Sequence, residues 1–215
     1  APETTYTSVA GVFGPTTNLQ GGASPAFSSV PDLLGRLTWR QDGLEFNLRG
    51  LLRQIEIRTA GTAATPNVSE TTPAWGVAGM VRFPMRMLWH ALGPDEISAM
   101  AFYGDGIGRY FAGQTSGQDA LTNLGLPGVL NPSLDTIPSY GATIAYRRFW
   151  TPTLRSNVSY AYARNDYPSY ALGFTPGSAS ATSLNRDLQQ VFVNLIWSPF
   201  GEIRDGTFNA GWLDL

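Results

Sequence analysis

Apolar and polar residues alternate along much of the chain with a period of two residues. Such alternation is typical of β-strands that place one face in an apolar environment and the other in a polar one. About nine stretches show it, each bounded by residues that favour turns. Their approximate ranges are 5–13, 33–40, 44–57, 75–83, 96–103, 140–147, 154–162, 191–197 and 208–212. The pattern therefore predicts an all-β chain.

The third stretch departs from strict alternation in its second half. Its apolar residues fall on even positions from Leu44 to Leu52, but Leu51, Ile55 and Ile57 fall on odd ones. One extra residue in a strand of an antiparallel pair would shift the pattern in this way. We therefore expect a β-bulge or a change of register near Leu51.

The connections between the predicted strands alternate between short and long. Asp42-Gly43 is a two-residue hairpin signal, whereas the connection from about 105 to 139 exceeds thirty residues. Outer-membrane barrels have short periplasmic turns and long extracellular loops. We predict a transmembrane antiparallel up-and-down β-barrel, whose longest loop either stays extracellular or folds inward to narrow a pore.

Aromatic residues near the predicted strand ends favour this barrel over a soluble β-sandwich. Their rings would lie at the two membrane interfaces, whereas a soluble core would bury them in mid-strand. Strands of roughly 9 to 11 residues also suit a tilted membrane span better than a sandwich. The residues concerned are Trp39, Trp75, Phe83, Phe149, Trp150, Trp197 and Phe200.

Composition removes several other classes of protein. Only 14% of the residues are charged, and cysteine is absent. The single histidine, His90, falls in a short connection, so neither a His/Cys metal site nor a histidine-based catalytic triad can be built. The glycine-rich stretch 104–109 follows a predicted strand but opens no predicted helix, which is the wrong context for a nucleotide-binding loop. We expect no cofactor and no nucleic-acid partner.

Arginine accounts for all fourteen basic residues, and half of them share the polar face of the predicted strands. That face carries only two acidic residues, Glu45 and Glu96, while other acidic residues fall in the long connections (Asp32, Glu70, Asp105, Asp119, Asp135 and Asp166). Rings of arginine select anions in pores. The alternative is that these arginines only satisfy one another and nearby acidic residues across the barrel wall. The predicted pore-lining residues are Arg36, Arg40, Arg49, Arg53, Arg82, Arg147 and Arg155.

The number of strands limits the size of the barrel. About eight strands leave an interior filled by side chains, sixteen to eighteen leave an aqueous channel, and bacterial single-chain barrels have even strand counts. We therefore expect residues 1–215 to form one incomplete barrel domain, about nine strands of a probable sixteen, with further strands after 215.

Four segments, 37–54, 104–113, 154–166 and 184–200, together resemble the DcaP-like porins, which are trimeric outer-membrane channels. The resemblance implies a sixteen-stranded barrel in the outer membrane of a Gram-negative bacterium, and a homotrimer in contact with membrane lipid and lipopolysaccharide. It also implies passive uptake of small anionic solutes such as dicarboxylates, with Arg49, Arg53 and Arg155 as the matching binding residues. The alternatives are an outer-membrane barrel enzyme and a structural or adhesin barrel with long extracellular loops.

Overall fold

The computed structural model describes residues 6–8, 26–27, 30–59, 68–110, 119–122, 133–168, 186–198 and 213–214. Almost all of these residues lie in β-strands or in the turns that join them. Among the described residues, no helix has the length and apolar character needed to cross a membrane.

Seven long strands form one antiparallel sheet in which every strand pairs with its neighbours in the chain's own order. They are β3 (Leu33–Gln41), β4 (Leu44–Thr59), β5 (Val68–Pro84), β6 (Glu96–Asp105), β9 (Pro138–Thr151), β10 (Leu154–Asn165) and β11 (Asp187–Trp197). This up-and-down meander is the wall of the molecule.

Five short strands complete the described structure. Two of them extend the wall: β2 (Ala26–Phe27) pairs with β4, and β12 (Leu213–Asp214) pairs with β11. The other three form a separate small sheet, in which β7 (Ala120–Thr122) lies between β1 (Tyr6–Ser8) and β8 (Leu134–Thr136). Since β7 and β8 belong to the connection between β6 and β9, this loop has strands of its own.

The predicted fold class is confirmed: the described residues are all-β, and seven long antiparallel strands in up-and-down order form their wall. The predicted first strand, 5–13, does not join the wall, because its described residues 6–8 pair in parallel with β7. Of the predicted last strand, 208–212, every residue lies outside the described ranges.

No bulge interrupts β4. Its pairing with β5 runs without a shift from Glu45 opposite Arg82 to Thr59 opposite Val68, so the expected change near Leu51 is wrong. Leu51 and Ile55 instead lie on the polar face of an unbroken strand, and both are buried. The register shift in the described wall falls between Leu154 and Arg155, beside the turn that joins β9 to β10.

Short and long connections leave the wall at opposite ends. Asp42 and Gly43 have φ angles of 51° and 88°, which is the left-handed pair that a tight hairpin turn requires. At the same end, residues 85–95 form two short 3-10 turns between β5 and β6, and Pro152-Thr153 joins β9 to β10. The connections after β4, β6 and β10 leave the other end. Those after β6 and β10 are long, as predicted, but the one after β4 spans only residues 60–67, because β4 and β5 extend further than the sequence pattern indicated.

The two faces of the wall differ sharply. One, the apolar face, carries side chains that are largely exposed: Val191 and Val193 are 68% and 65% exposed. A contiguous exposed apolar surface of this kind requires a lipid or protein environment. The side chains concerned include Leu37, Leu48, Val77, Ile144, Val158, Val191, Val193 and Leu195.

Aromatic rings border the apolar face at both ends. Trp75 packs beside Tyr103 with ring centroids 5.6 Å apart, and Tyr103 stacks on Tyr140 at 6.3 Å, all at the long-loop end. Trp39, Phe83, Trp150 and Trp197 lie at the short-turn end. Phe149 is also at that end but shares the polar face, opposite Arg155, and Phe200 lies outside the described residues.

Candidate functional site

All seven arginines singled out from the sequence lie on one face of the wall, the polar face, which is the face opposite Leu37 and Val193. The registers establish this, because directly paired residues on antiparallel strands point to the same side. The cross-strand neighbours on this face are Glu45 with Arg40 and Arg82, Arg36 with Arg49, Glu96 with Arg147, and Arg155 with Phe149 and Ile196. Arg53 faces Ala74 on the same side.

Near the short turns, the polar face carries a row of alternating charges. Glu45 pairs with Arg40 at 3.1 Å. Glu96 binds two arginines at once, Arg82 and Arg147, each at 2.7 Å. The row continues through an Asn157 amide that donates to Asn194 at 2.8 Å. Ion pairs therefore link Arg82, Glu96 and Arg147 across β5, β6 and β9. Amides continue the row across β10 and β11, since Arg147 donates to Asn157 at 3.0 Å and Asn157 to Asn194.

At mid-height, the polar face carries two arginines without an acidic partner among the described residues. Arg36 and Arg49 are directly opposite each other on β3 and β4. The Arg36 guanidinium donates to the Asn47 side-chain oxygen at 2.9 and 2.7 Å, so a neutral amide holds it. For Arg49, no hydrogen bond or ion pair occurs within the described part of the chain, and its side chain is exposed.

Closer to the long loops, Arg53 is enclosed completely. Its guanidinium lies 2.9 Å from the Asp119 carboxylate and 3.4 Å from that of Asp32, and it donates to the Gly106 carbonyl at 3.1 Å. The Arg53 and Asp119 side chains are both 0% exposed. Tyr110 lies under the guanidinium at 5.6 Å and donates a hydrogen bond to Asp32. Arg53 therefore joins the wall to two segments outside it.

The connection between β6 and β9 packs onto the polar face around Arg53. Ile107 is buried against Gly76, where an added Cβ would lie 2.8 Å from the Ile107 side chain. Only glycine permits this approach. Leu51, Ile55 and Ile137 are buried in the same region. Of the two alternatives left open for this loop, its described residues follow the inward one, since they cover the polar face.

A separate polar cluster fixes the short connection between β5 and β6. The Asp95 carboxylate is buried and accepts hydrogen bonds from the Tyr146 hydroxyl at 2.6 Å, the Arg148 guanidinium at 2.6 Å and the Phe149 backbone N–H at 2.8 Å. Burial by itself would raise the pKa of this carboxyl, but the three donors outweigh it, so the pKa lies below its ordinary value.

The sequence-based prediction placed Arg53 with six other arginines along the pore, and the family resemblance grouped it with Arg49 and Arg155 as a binding residue. The structure encloses Arg53 under the loop, whereas Arg49 remains exposed on the same strand. The residues that enclose it, Asp32, Asp119 and Tyr110, had been assigned only to connections. One signal was available: the odd-numbered apolar residues Leu51 and Ile55 indicated that something apolar covers the polar face, rather than a bulge.

Comparisons with known proteins support the fold. No protein-family model matches this chain, and no curated protein matches it. A crystal structure of the outer-membrane channel DcaP of Acinetobacter baumannii superposes with a TM-score of 0.58 at 19% sequence identity, over 92% of this chain and 46% of that one. The chain thus spans about half the length of the channel that it matches. At this identity the likeness concerns the fold, and a barrel of this fold lies in an outer membrane, as predicted.

Proposed function

We propose that this chain forms part of the wall of a water-filled outer-membrane channel that admits small anionic solutes, dicarboxylates among them, by passive diffusion. The observation that carries the proposal is the unequal distribution of charge on the polar face. Seven arginines lie there with three glutamates of the wall, Glu45, Glu96 and, near the long loops, Glu70. In a closed barrel, the face opposite the lipid-exposed one lines the lumen.

The ion pairs described above do not cancel the positive charge of the polar face. Three arginines of the charged row share Glu45 and Glu96, and Arg53 has its own acidic partners outside the wall. The uncompensated charge is therefore concentrated at mid-height, on Arg36 and Arg49. A surface of one sign within low-dielectric walls raises the local concentration of ions of opposite charge. The guanidinium fork suits carboxylates in particular.

The resemblance to DcaP-like porins suggests further properties, which belong to the same proposal. These are a homotrimer, contact with lipopolysaccharide, and a wall completed by strands outside this chain. The likeness to a channel also favours transport over the alternative of a barrel enzyme.

Ion selectivity tests the proposal directly. The purified protein is reconstituted in planar bilayers, and the reversal potential is measured across a KCl gradient. We expect chloride to permeate better than potassium. Arg49→Ala should lower this preference about twofold, because one unit charge near the ion path contributes on the order of 0.5 kcal/mol in a hydrated lumen.

Arg186→Ala serves as the matched control. It removes the same charge from an exposed residue that directly precedes β11, at the long-loop end and away from Arg49, and should change the permeability ratio much less than Arg49→Ala does. Preference of the wild-type protein for potassium would contradict the proposal.

A further inference from the structure

A cavity of about 450 Å³ lies on the polar face at mid-height, beneath the inward part of the loop between β6 and β9. Wall strands from β3 to β11 contribute to its lining, and Ile107 and Tyr110 cover it from the loop side. This volume is within the range of binding sites for small molecules. The cavity is thus a place where a solute could be held on its way along the wall.

Only one charged residue, Arg49, is among the described residues that line the cavity. Its cross-strand neighbour on β5 is Ala78, whose methyl group leaves the space beside the guanidinium open. Arg36, on the other side, adds a second positive charge nearby but is occupied by Asn47. The cavity therefore offers one exposed guanidinium, which suits one carboxylate.

The rest of the cavity is largely apolar. Met100 and Phe102 of β6, Leu34 of β3 and Leu188 of β11 line it together with Ile107. These side chains lie on the polar face, where the prevailing pattern calls for polar residues. Burying a second carboxylate against them would cost its hydration without a compensating partner.

The position of Phe102 is fixed by the neighbouring strand. Gly141 of β9 lies directly opposite it, and an added Cβ there would come within 2.8 Å of the Phe102 ring. The ring therefore packs against Gly141 and fills the space that a larger residue there would occupy. Met100, which is unbranched, can adapt its shape to an apolar group placed beside it.

We infer that this cavity binds small carboxylates that carry a single negative charge on an apolar body, of the class of phenylacetate, with the carboxylate on Arg49 and the ring between Met100 and Phe102. The inference rests on the proposed anion channel and narrows it: short dicarboxylates pass along the wall, whereas amphipathic monocarboxylates are retained at this site.

Two measurements on the detergent-purified protein test it. Calorimetric titration gives the affinity for phenylacetate, succinate, acetate and benzyl alcohol, and single-channel recording gives the frequency with which each interrupts the current. We expect phenylacetate to bind at least tenfold more tightly than succinate or acetate. Benzyl alcohol, which has the ring but no charge, should bind weakly.

Three variants test whether phenylacetate binds in the cavity. Arg49→Ala should weaken phenylacetate binding about tenfold, because a hydrogen bond to a charged group is lost. Met100→Gln keeps the side-chain length but makes the wall polar, and it should weaken phenylacetate severalfold while affecting acetate little. Arg186→Ala is again the charge control and should leave both affinities unchanged. Heat-modifiable migration on gels verifies that each variant is folded.

The outcomes separate the inference from the proposed function. Tighter binding of succinate than of phenylacetate, or equal binding of benzyl alcohol, would overturn the inference while anion selectivity persists. Tight, Arg49-dependent phenylacetate binding in a protein that does not prefer anions would keep the site and overturn the proposed channel function.

Discussion

Arg49 and Arg53 lie four residues apart on the same face of β4, yet their surroundings are opposite. Arg53 is fully buried between Asp119, Asp32 and the Gly106 carbonyl, whereas Arg49 is exposed to the cavity. A guanidinium without solvent must be matched by carboxylates, since an unpaired buried charge is costly. Arg53 therefore has a structural role in positioning the loop, whereas the Arg49 guanidinium is accessible from the cavity.

Arg53→Met tests this division. The substitution leaves the Asp119 carboxylate buried without its guanidinium, and breaking a buried ion pair costs about 3–5 kcal/mol. We expect the loop to detach locally from the polar face. Hydrogen–deuterium exchange measured by mass spectrometry should then be faster in residues 106–110, while the strands of the wall retain their protection.

Two further variants serve as controls for Arg53→Met. Arg49→Met makes the same replacement at an exposed position and should not change exchange in residues 106–110. Arg53→Met combined with Asp119→Leu removes both charges and should restore most of the protection, because an apolar pair can replace a buried ion pair. Unchanged exchange in the single Arg53 variant would show that this pair does not hold the loop.

At the scale of secondary-structure elements, Asp95 connects two elements that are distant in the chain. It ends the short connection after β5, and its carboxylate accepts hydrogen bonds from Tyr146, Arg148 and the Phe149 N–H of β9. The Met85 N–H also donates to the Asp95 carbonyl at 2.8 Å. One residue thereby anchors the start of β6 to the end of β9, at the short-turn end of the wall.

This cluster predicts a dependence of stability on pH. Because the pKa of Asp95 is lower in the folded protein than in the unfolded chain, its contribution is complete above about pH 4 and disappears as the pH falls through the folded-state pKa. Asp95→Asn should therefore reduce the free energy of unfolding by about 1.5–3 kcal/mol at pH 7. Urea titrations followed by tryptophan fluorescence measure the free energy of unfolding of both proteins.

The difference between Asp95→Asn and the wild type should shrink when the same titrations are repeated near pH 2.5. Asp42→Asn is a suitable comparison, since Asp42 lies in an exposed turn at the same end of the wall. A destabilisation by Asp95→Asn that is equal at both pH values would mean that the charge of Asp95 does not matter.

The strands of the wall could be predicted from the sequence, but the packing of the loop could not. Alternation identifies each strand and the face of each residue, because both depend only on neighbours in the chain. The contact between Arg53 and Asp119 joins residues 66 positions apart, and no local pattern encodes it. Leu51 and Ile55 indicated that the polar face is covered there. A bulge would give the same sequence pattern, because both arrangements place apolar residues at positions where the alternation predicts polar ones.

At the scale of the whole molecule, the wall has the character of a membrane-spanning sheet with one lipid face. Trp75 and Phe83 border the apolar face of β5 and are eight residues apart, which corresponds to about 26 Å along a strand, while β5 itself continues beyond Trp75 to Val68. When a strand is tilted, this length suits the apolar band of an outer-membrane barrel. Ile144, 53% exposed, lies between the two aromatic borders.

The depth of the tryptophans in a bilayer therefore tests the orientation of the entire wall. Variants that retain only Trp75 or only Trp150 are reconstituted with lipids that carry a quencher at a known depth. Both fluorescence signals should be quenched most strongly by labels near the headgroups, because indole rings prefer the interface. Ile144→Trp in a background without other tryptophans should instead be quenched most by labels in the centre of the bilayer. If Trp75 and Trp150 responded to no lipid quencher while iodide in water quenched them fully, the apolar face would not face lipid, and the membrane-spanning arrangement of all seven long strands would be wrong.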